Sequence, residues 1–337
     1  MKILILSHQG IGDIIMSFPI YNAIREKFPN AIIYSTVKSM TEAELLRDQC
    51  LSDEFILSDY YHMSLYEKIS WIWSLLFLRF DLVVSPFKVN YLKSILIRVI
   101  TLSKKMVIHK DSSSRLLGML SQNVLVHQSA KSVHNNQQIA SLFSDTVFLP
   151  SLRPGAVNSI SMSEVFTEKY DCIIGIHPGC GEVEKHKRWP VERYIELINL
   201  LVGQQKKILF MLFGVKSEVE LCNEIINGVN DNVSIRSFCG KKTISETISL
   251  VAKCTVFVSG DSGLMHVASA LNVKTYSVYG PTTHLTTSPY WNHGEVIRAS
   301  LPCSPCYPDR LTGCGNPICM SSVSASAVFD KISEIKD

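Results

Sequence analysis

The residues of this sequence that could do chemistry fall in a few short stretches. Ser259-Gly-Asp-Ser-Gly-Leu-Met-His266 is the sharpest. Asp261 and Ser262 are natural helix caps, and Gly263 lets a ligand approach the backbone. Unpaired N–H groups at such a helix start attract an anion, a diphosphate above all. His266 falls one turn in. It could donate to that anion or sit at the core edge bonded to a carbonyl. His177-Pro-Gly-Cys-Gly181 and then Lys187-Arg-Trp-Pro190 form a Gly-bearing loop, with Gly179 at its centre, running into basic residues before a helix. Backbone N–H groups and a lysine point charge suit a phosphate there; the alternative is a polar loop with solvated lysines. Charge alone does not choose among Lys185, Lys187 and Arg188. Tyr279-Gly-Pro-Thr282 makes a rigid turn from which Thr282 could touch a ligand. Glu218, four residues after Gly214, could accept from ribose hydroxyls or simply favour a helix N-terminus.

Near the start, Gly10-Ile-Gly-Asp13 permits a tight turn at Gly10 and Gly12. It is not a dinucleotide fingerprint, because Ile15 stands where a third Gly belongs. Asp13 could be a functional carboxylate or a helix cap. No two aspartates are spaced D-x-D, the clustered-carboxylate pattern of a metal-bridged diphosphate, which favours phosphate binding by N–H groups, Lys and His. Cys303, Cys306, Cys314 and Cys319 give C-x2-C-x7-C-x4-C, a spacing that could place four thiolates on structural Zn or Fe, or be simple buried thiols. The four lie within 17 residues, whereas the other six cysteines are scattered, which suggests a reducing compartment with one special site.

These stretches need a frame. A length of 337 residues corresponds to roughly two domains. With 46% apolar and 19% charged residues, the chain is globular rather than disordered. A net charge of +3 gives no reason to expect nucleic acid. Lys2 to Ser7 reads as a strand buried on both faces, Ile14 to Phe28 as a helix, and Ala31 to Val37 as a second strand. That order is a βαβ unit with a parallel sheet. Phe80 to Ser85 is another strand, and Pro150 to Asp171 reads as a linker. The second half alternates strand and helix from Cys172 to Tyr279. Predicted, therefore, are two doubly wound α/β domains, 1–155 and 156–322 with a Cys-rich loop at 303–319, and a closing helix in 323–337. A ligand cleft is expected between them. No stretch reads as a signal peptide or spans a bilayer: the most apolar one, Ile69 to Phe80, is too short. Seven basic residues between Lys88 and Arg115 (Lys88, Lys93, Arg98, Lys104, Lys105, Lys110 and Arg115) stand against Asp81 and Asp111. Interleaved with apolar helix, they could face an anionic acceptor, a membrane surface or water.

The order and separation of G-I-G-D, H-P-G, K-R-W-P, D-S-G-L-M-H and Y-G-P-T resemble glycosyltransferase family 9, the ADP-heptose:lipopolysaccharide heptosyltransferases. The resemblance implies a GT-B type α/β fold, with the acceptor on the first domain and the nucleotide sugar, ADP-heptose, on the second. It implies inverting transfer to a hydroxyl of a lipopolysaccharide core or related glycan, with no metal required. It makes Asp13 the base, puts Lys187, Asp261, Ser262, Gly263 and His266 on the diphosphate, and puts Glu218 on the ribose. It also implies a cytoplasmic protein with peripheral contact at the inner membrane. Two readings compete: a sugar-nucleotide epimerase of similar fold, which would turn over donor without acceptor, and a non-catalytic nucleotide-binding subunit, which would have no need of a base.

Overall fold

The computed structural model describes residues 1–6, 10–58, 63–88, 91–109, 123–126, 135–154, 170–181, 184–203, 207–290, 294–306 and 314–333. The chain divides into two compact units, Met1–Pro150 and Ser151–Asp337. Most of the expected linker falls outside the described residues, as do Lys110 and Arg115 of the basic stretch.

In the first unit, β1 (Lys2–Ile5), β2 (Ile32–Val37), β3 (Glu54–Leu57), β4 (Leu82–Lys88), β5 (Lys105–His109) and β6 (Asn123–Val126) form a parallel sheet in the order β3-β2-β1-β4-β5-β6. Ile3, Leu4 and Ile5 are fully buried, as a central strand covered on both faces requires. α1 (Ile11–Lys27) follows β1 directly. Its start is Gly10, at φ 137° and ψ 161°, a backbone conformation open to glycine and strained for other residues. Almost every residue from Ile14 to Ile24 is buried, so packing holds the helix together despite the internal Pro19. α2 (Met40–Asp48), α3 (Leu65–Leu78), α4 (Tyr91–Thr101) and α5 (Asn135–Ala140) complete the unit, with α5 packed on α1 and α3 on α4. α3 starts with a capping box, Ser64 and Glu67 satisfying each other's backbone N–H groups.

The second unit repeats the plan. β7 (Cys172–His177), β8 (Ile208–Leu212), β9 (Ile235–Ser237), β10 (Val256–Gly260), β11 (Lys274–Tyr279) and β12 (Gly294–Arg298) pair in parallel in the order β12-β11-β10-β7-β8-β9. Each sheet reverses direction of winding at one place, between β1 and β4 or between β7 and β10. Ligands of doubly wound sheets bind outside the strand carboxyl ends at that place. Around the second sheet run α6 (Val191–Val202), α7 (Val219–Gly228), α8 (Ile244–Val251), α9 (Gly263–Ala270), α10 (His284–Thr287), α11 (Ile318–Ser321) and α12 (Ala325–Ser333). α6 and α12 bury Leu197, Ile198, Val328 and Ile332 in one cluster with Ile174, Phe210 and Val258 of the sheet. Among the described residues, no helix is long and apolar enough to cross a membrane.

β7 and β10 approach closely at Gly175. A Cβ there would lie 2.5 Å from the Phe257 ring and 2.8 Å from the Cys254 sulfur, both in the core. Gly175→Ala is expected to lower stability by about 1–3 kcal/mol, the usual cost of overpacking, measured as a lower urea midpoint at unchanged slope.

Candidate active site

His177 ends β7 in register with Ser259 of β10, so the two central strands deliver H-P-G and S-G-D-S-G side by side at the winding switch. His177 Nδ1 lies 3.0 Å from Ser262 Oγ, and His177 Nε2 lies 3.1 Å from Glu218 Oε2. A carboxylate only accepts, so Nε2 carries the proton of that bond. Glu218 also accepts from the N–H of Gly181 on Oε1 and of Val215 on Oε2, both at 3.0 Å. Burial on its own would raise the Glu218 pKa. The His177 hydrogen bond and charge, with the two backbone donors, outweigh it and hold the acid at about 2. Gly179 passes so close that a Cβ would fall 1.9 Å from Glu218 Oε1. Glycine at 179 is therefore required by this carboxylate.

The acidic residue proposed for ribose is thus 1% exposed, with both oxygens engaged. In this structure it joins three loops, those after β7, after β8 and at the start of α9.

Ser262 is the N-cap of α9, its Oγ accepting from Met265 N–H at 3.3 Å. Gly263 is the first residue of that helix and His266, buried, lies in its first turn. Asp261 Oδ2 stands 3.4 Å from Lys187 Nζ, which also meets Glu184 Oε1 at 2.8 Å. The Tyr279 hydroxyl, at the end of β11, lies 3.3 Å from Asp261 Oδ1. Burial, and then the charge of Asp261, push the Tyr279 phenol well above its ordinary 10, so it stays protonated. Thr282, two residues past the Gly280 turn, is buried, and its Oγ1 has no hydrogen-bond partner among the described residues. Lys187, Asp261, Ser262, Glu218 and Gly179 therefore lie in the loops at one end of the second sheet, with Gly263 and His266 in the first turn of α9 beside them. Asp13, Gly10 and Gly12 belong to the first unit, after β1. Asp13 is the third residue of α1, half-buried, and the cap position is taken by Gly10.

The K-R-W-P segment has a buried anchor. Trp189, 1% exposed, donates to the Val323 carbonyl at 2.9 Å and meets Tyr194 edge to face at 4.8 Å. The Tyr194 hydroxyl donates to the His177 carbonyl at 3.3 Å. Trp189 thus fixes the chain that carries Lys187, and Tyr194 ties it to β7. Tyr194 and Glu184 were not singled out by sequence pattern. His177 and Tyr279 open the H-P-G and Y-G-P-T motifs, but the pattern gave neither a role of its own.

The metal ion expected at the cysteines finds no support among the described residues. Cys303, Cys306, Cys314 and Cys319 do line one cavity of about 180 Å³ with His186 and Pro281. Yet among the described residues no three His, Cys, Asp or Glu side chains are placed to share an ion. The reason lies in the packing. Cys319 is buried in the core cluster under Gly280, where a Cβ would lie 2.7 Å from its sulfur, while Cys303 and Cys314 are exposed. The loop is tied to the Gly280–Pro281 backbone: Cys306 N–H donates to the Pro281 carbonyl and the Ser304 hydroxyl to that of Gly280.

A scan against family models matches residues 79–312 to "Glycosyltransferase family 9 (heptosyltransferase)", more than half of the chain. The chain belongs to glycosyltransferase family 9. Lipooligosaccharide heptosyltransferase 2 of Campylobacter jejuni is 31% identical over 166 residues, 48% of this chain and 51% of that enzyme. The chain spans about half, or less, of the length of the curated relatives it matches. Among solved structures, Escherichia coli ADP-heptose lps heptosyltransferase II aligns over 99% of this chain and 98% of its own, with TM-score 0.75 at 23% identity. E. coli heptosyltransferase WaaC, solved with ADP, aligns over 99% of both chains with TM-score 0.69 at 19% identity. Two Rossmann-like units of the GT-B type are thus the common fold.

Two outcomes test this site. The folded Glu218 pKa lies below the unfolded 4.5, so its stabilisation is complete above pH 4.5 and fades as the pH falls towards about 2. Glu218→Gln should cost roughly 2 kcal/mol at neutral pH, since it leaves buried donors poorly paired. The Tm gap to the parent protein should narrow in acid over that range. For the cysteines, Cys319→Ala should cost about 1–2 kcal/mol and Cys303→Ala under about 0.5, as core and surface positions do. Thermal melts with and without chelator measure both.

Proposed function

We propose that this protein is an inverting glycosyltransferase that moves heptose from ADP-heptose to a hydroxyl of a lipopolysaccharide core acceptor, without a metal ion. The observation that carries the reading is the cluster at the β7–β10 switch. The N-terminus of α9, Lys187, His266 and the unpaired Thr282 hydroxyl lie at one end of one sheet. Family membership and the heptosyltransferase relatives support the sugar and the acceptor class, and the WaaC structure with ADP supports the nucleotide.

In this reading Asp13 takes the proton of the acceptor hydroxyl as its oxygen attacks the anomeric carbon. The new C–O bond forms as the bond to the diphosphate oxygen breaks, and ADP leaves with that electron pair. One displacement inverts the anomeric centre. The N–H groups of Gly263 and Leu264, with Lys187 and His266, stabilise the charge that gathers on the diphosphate. Asp261 and Glu184 hold Lys187 in place until the anion arrives. Glu218 serves the ribose in this proposal through the loops it joins. The reaction belongs on the cytoplasmic side of the inner membrane, where a lipid-linked core acceptor meets a soluble nucleotide sugar.

Asp13→Asn should lower kcat by about 10²- to 10⁴-fold, the range for a lost general base, with the ADP-induced melting shift unchanged. His266→Ala should shrink that melting shift, and excess EDTA should leave transfer intact. Donor turnover without acceptor would favour an epimerase instead.

A further inference from the structure

α3 is apolar around most of its circumference, with Glu67, Ser70 and Ser74 as a narrow polar strip. Its inner side, Trp71, Leu75 and Leu78, packs on Leu4, Phe80, Val83 and Met106 of the first sheet. Its outer side is apolar too. Leu65, Ile69, Trp73 and Phe77 recur every four residues and are exposed, Phe77 to 77%; Tyr66, exposed to 81%, falls on the same arc. Trp73 and Phe77 stack on each other at 5.8 Å. α4 packs beside α3 and adds the exposed Leu96 and Val99. An amphipathic helix has a polar outer side; this pair exposes apolar side chains where polar ones would be expected.

Basic residues gather at one end of it. The Phe80 N–H donates to the Thr101 carbonyl, so the ends of α3 and α4 meet, and Arg79, Lys104 and Lys105 gather there. The nearby acids are both committed. Glu67 closes the α3 cap, while Asp81 accepts from Lys104 at 2.6 Å and from the Lys2 N–H at 2.9 Å.

We propose that the outer face of α3 and α4 is a membrane-docking surface, which inserts Trp73, Phe77 and their neighbours at the headgroup boundary of an anionic bilayer, with Arg79, Lys104 and Lys105 on the lipid phosphates. Aromatic rings beside lysines and arginines are the chemistry of that boundary. A second copy of the chain is the competing occupant, and the test below separates the two. The inference deepens the proposed function, since it names the surface that brings the protein to a lipid-linked acceptor, and it rests on that reading only for the membrane's identity.

The test is sedimentation of the full chain with vesicles of phosphatidylcholine alone or with about 30 mol% phosphatidylglycerol, an anionic content that gives basic residues a field to bind. The protein should pellet with the anionic vesicles and be released by about 0.5 M salt, as screening predicts. The double variant Trp73→Glu, Phe77→Glu should lose about tenfold or more in partitioning, since two inserted rings are replaced by charge. Its ADP-induced melting shift should equal the parent's, which reports an intact second unit whatever happens at the bilayer. Absence of vesicle binding by the parent, or equal binding by the variant, overturns the proposal. A concentration-dependent dimer that the variant abolishes would assign the face to a second copy and overturns it as well. Because ADP binding is read separately, loss of the docking surface leaves the glycosyltransferase reading standing, and the reverse.

Discussion

Glu218 is a carboxylate taken out of water, and the candidate site depends on what compensates it. An isolated buried carboxylate would take up a proton. Here a histidine and two backbone N–H groups meet it, and its acidity is strengthened rather than weakened. Each partner comes from a different place: His177 from the end of β7, Gly181 from the loop beyond it, Val215 from the loop after β8. The same imidazole reaches Ser262, the cap of α9. One ionised group therefore fixes two loops and the start of a helix relative to each other. The glycine at 179 follows from it, because any side chain there would occupy the carboxylate's own position.

A second arrangement is built around Lys187. A buried ammonium also needs partners, and it has Glu184 and Asp261. The Tyr279 hydroxyl, which donates to the Thr287 carbonyl, lies beside Asp261, and the backbone that carries Lys187 is anchored through Trp189 to Val323 near the C-terminus. The lysine is thus preorganised by neutral and acidic groups, so an incoming anion meets it already placed and does not order a flexible side chain. Preorganisation of this kind is what makes electrostatic stabilisation effective in a site away from bulk water.

The first unit follows a different logic on its outside. Its sheet is covered by helices as a parallel sheet demands, yet α3 and α4 keep apolar side chains on the side away from the sheet. Among the described residues, the packing of the unit leaves those side chains exposed. Their selection answers to something outside the fold, and the basic residues at the joined helix ends point to a negatively charged surface.

The alternation of apolar strands and helices was legible without coordinates, because a strand buried on both faces must be written as a run of apolar residues. The order of the short motifs was legible too, and family 9 membership bears out that resemblance. Local composition also marked Ser262 as a cap, since capping is decided by a few adjacent residues. The rest depends on distant pairs. Whether Glu218 meets water or His177 is settled 41 residues away along the chain, and whether Lys187 is solvated or clasped by Asp261 is settled across two strands. The cysteines show the same limit. Their spacing permits a tetrahedral ion, but Cys319 turns into the core beneath Gly280 while Cys303 and Cys314 remain at the surface. Spacing states which side chains could meet; the direction each one faces is set by packing against residues that no local pattern contains.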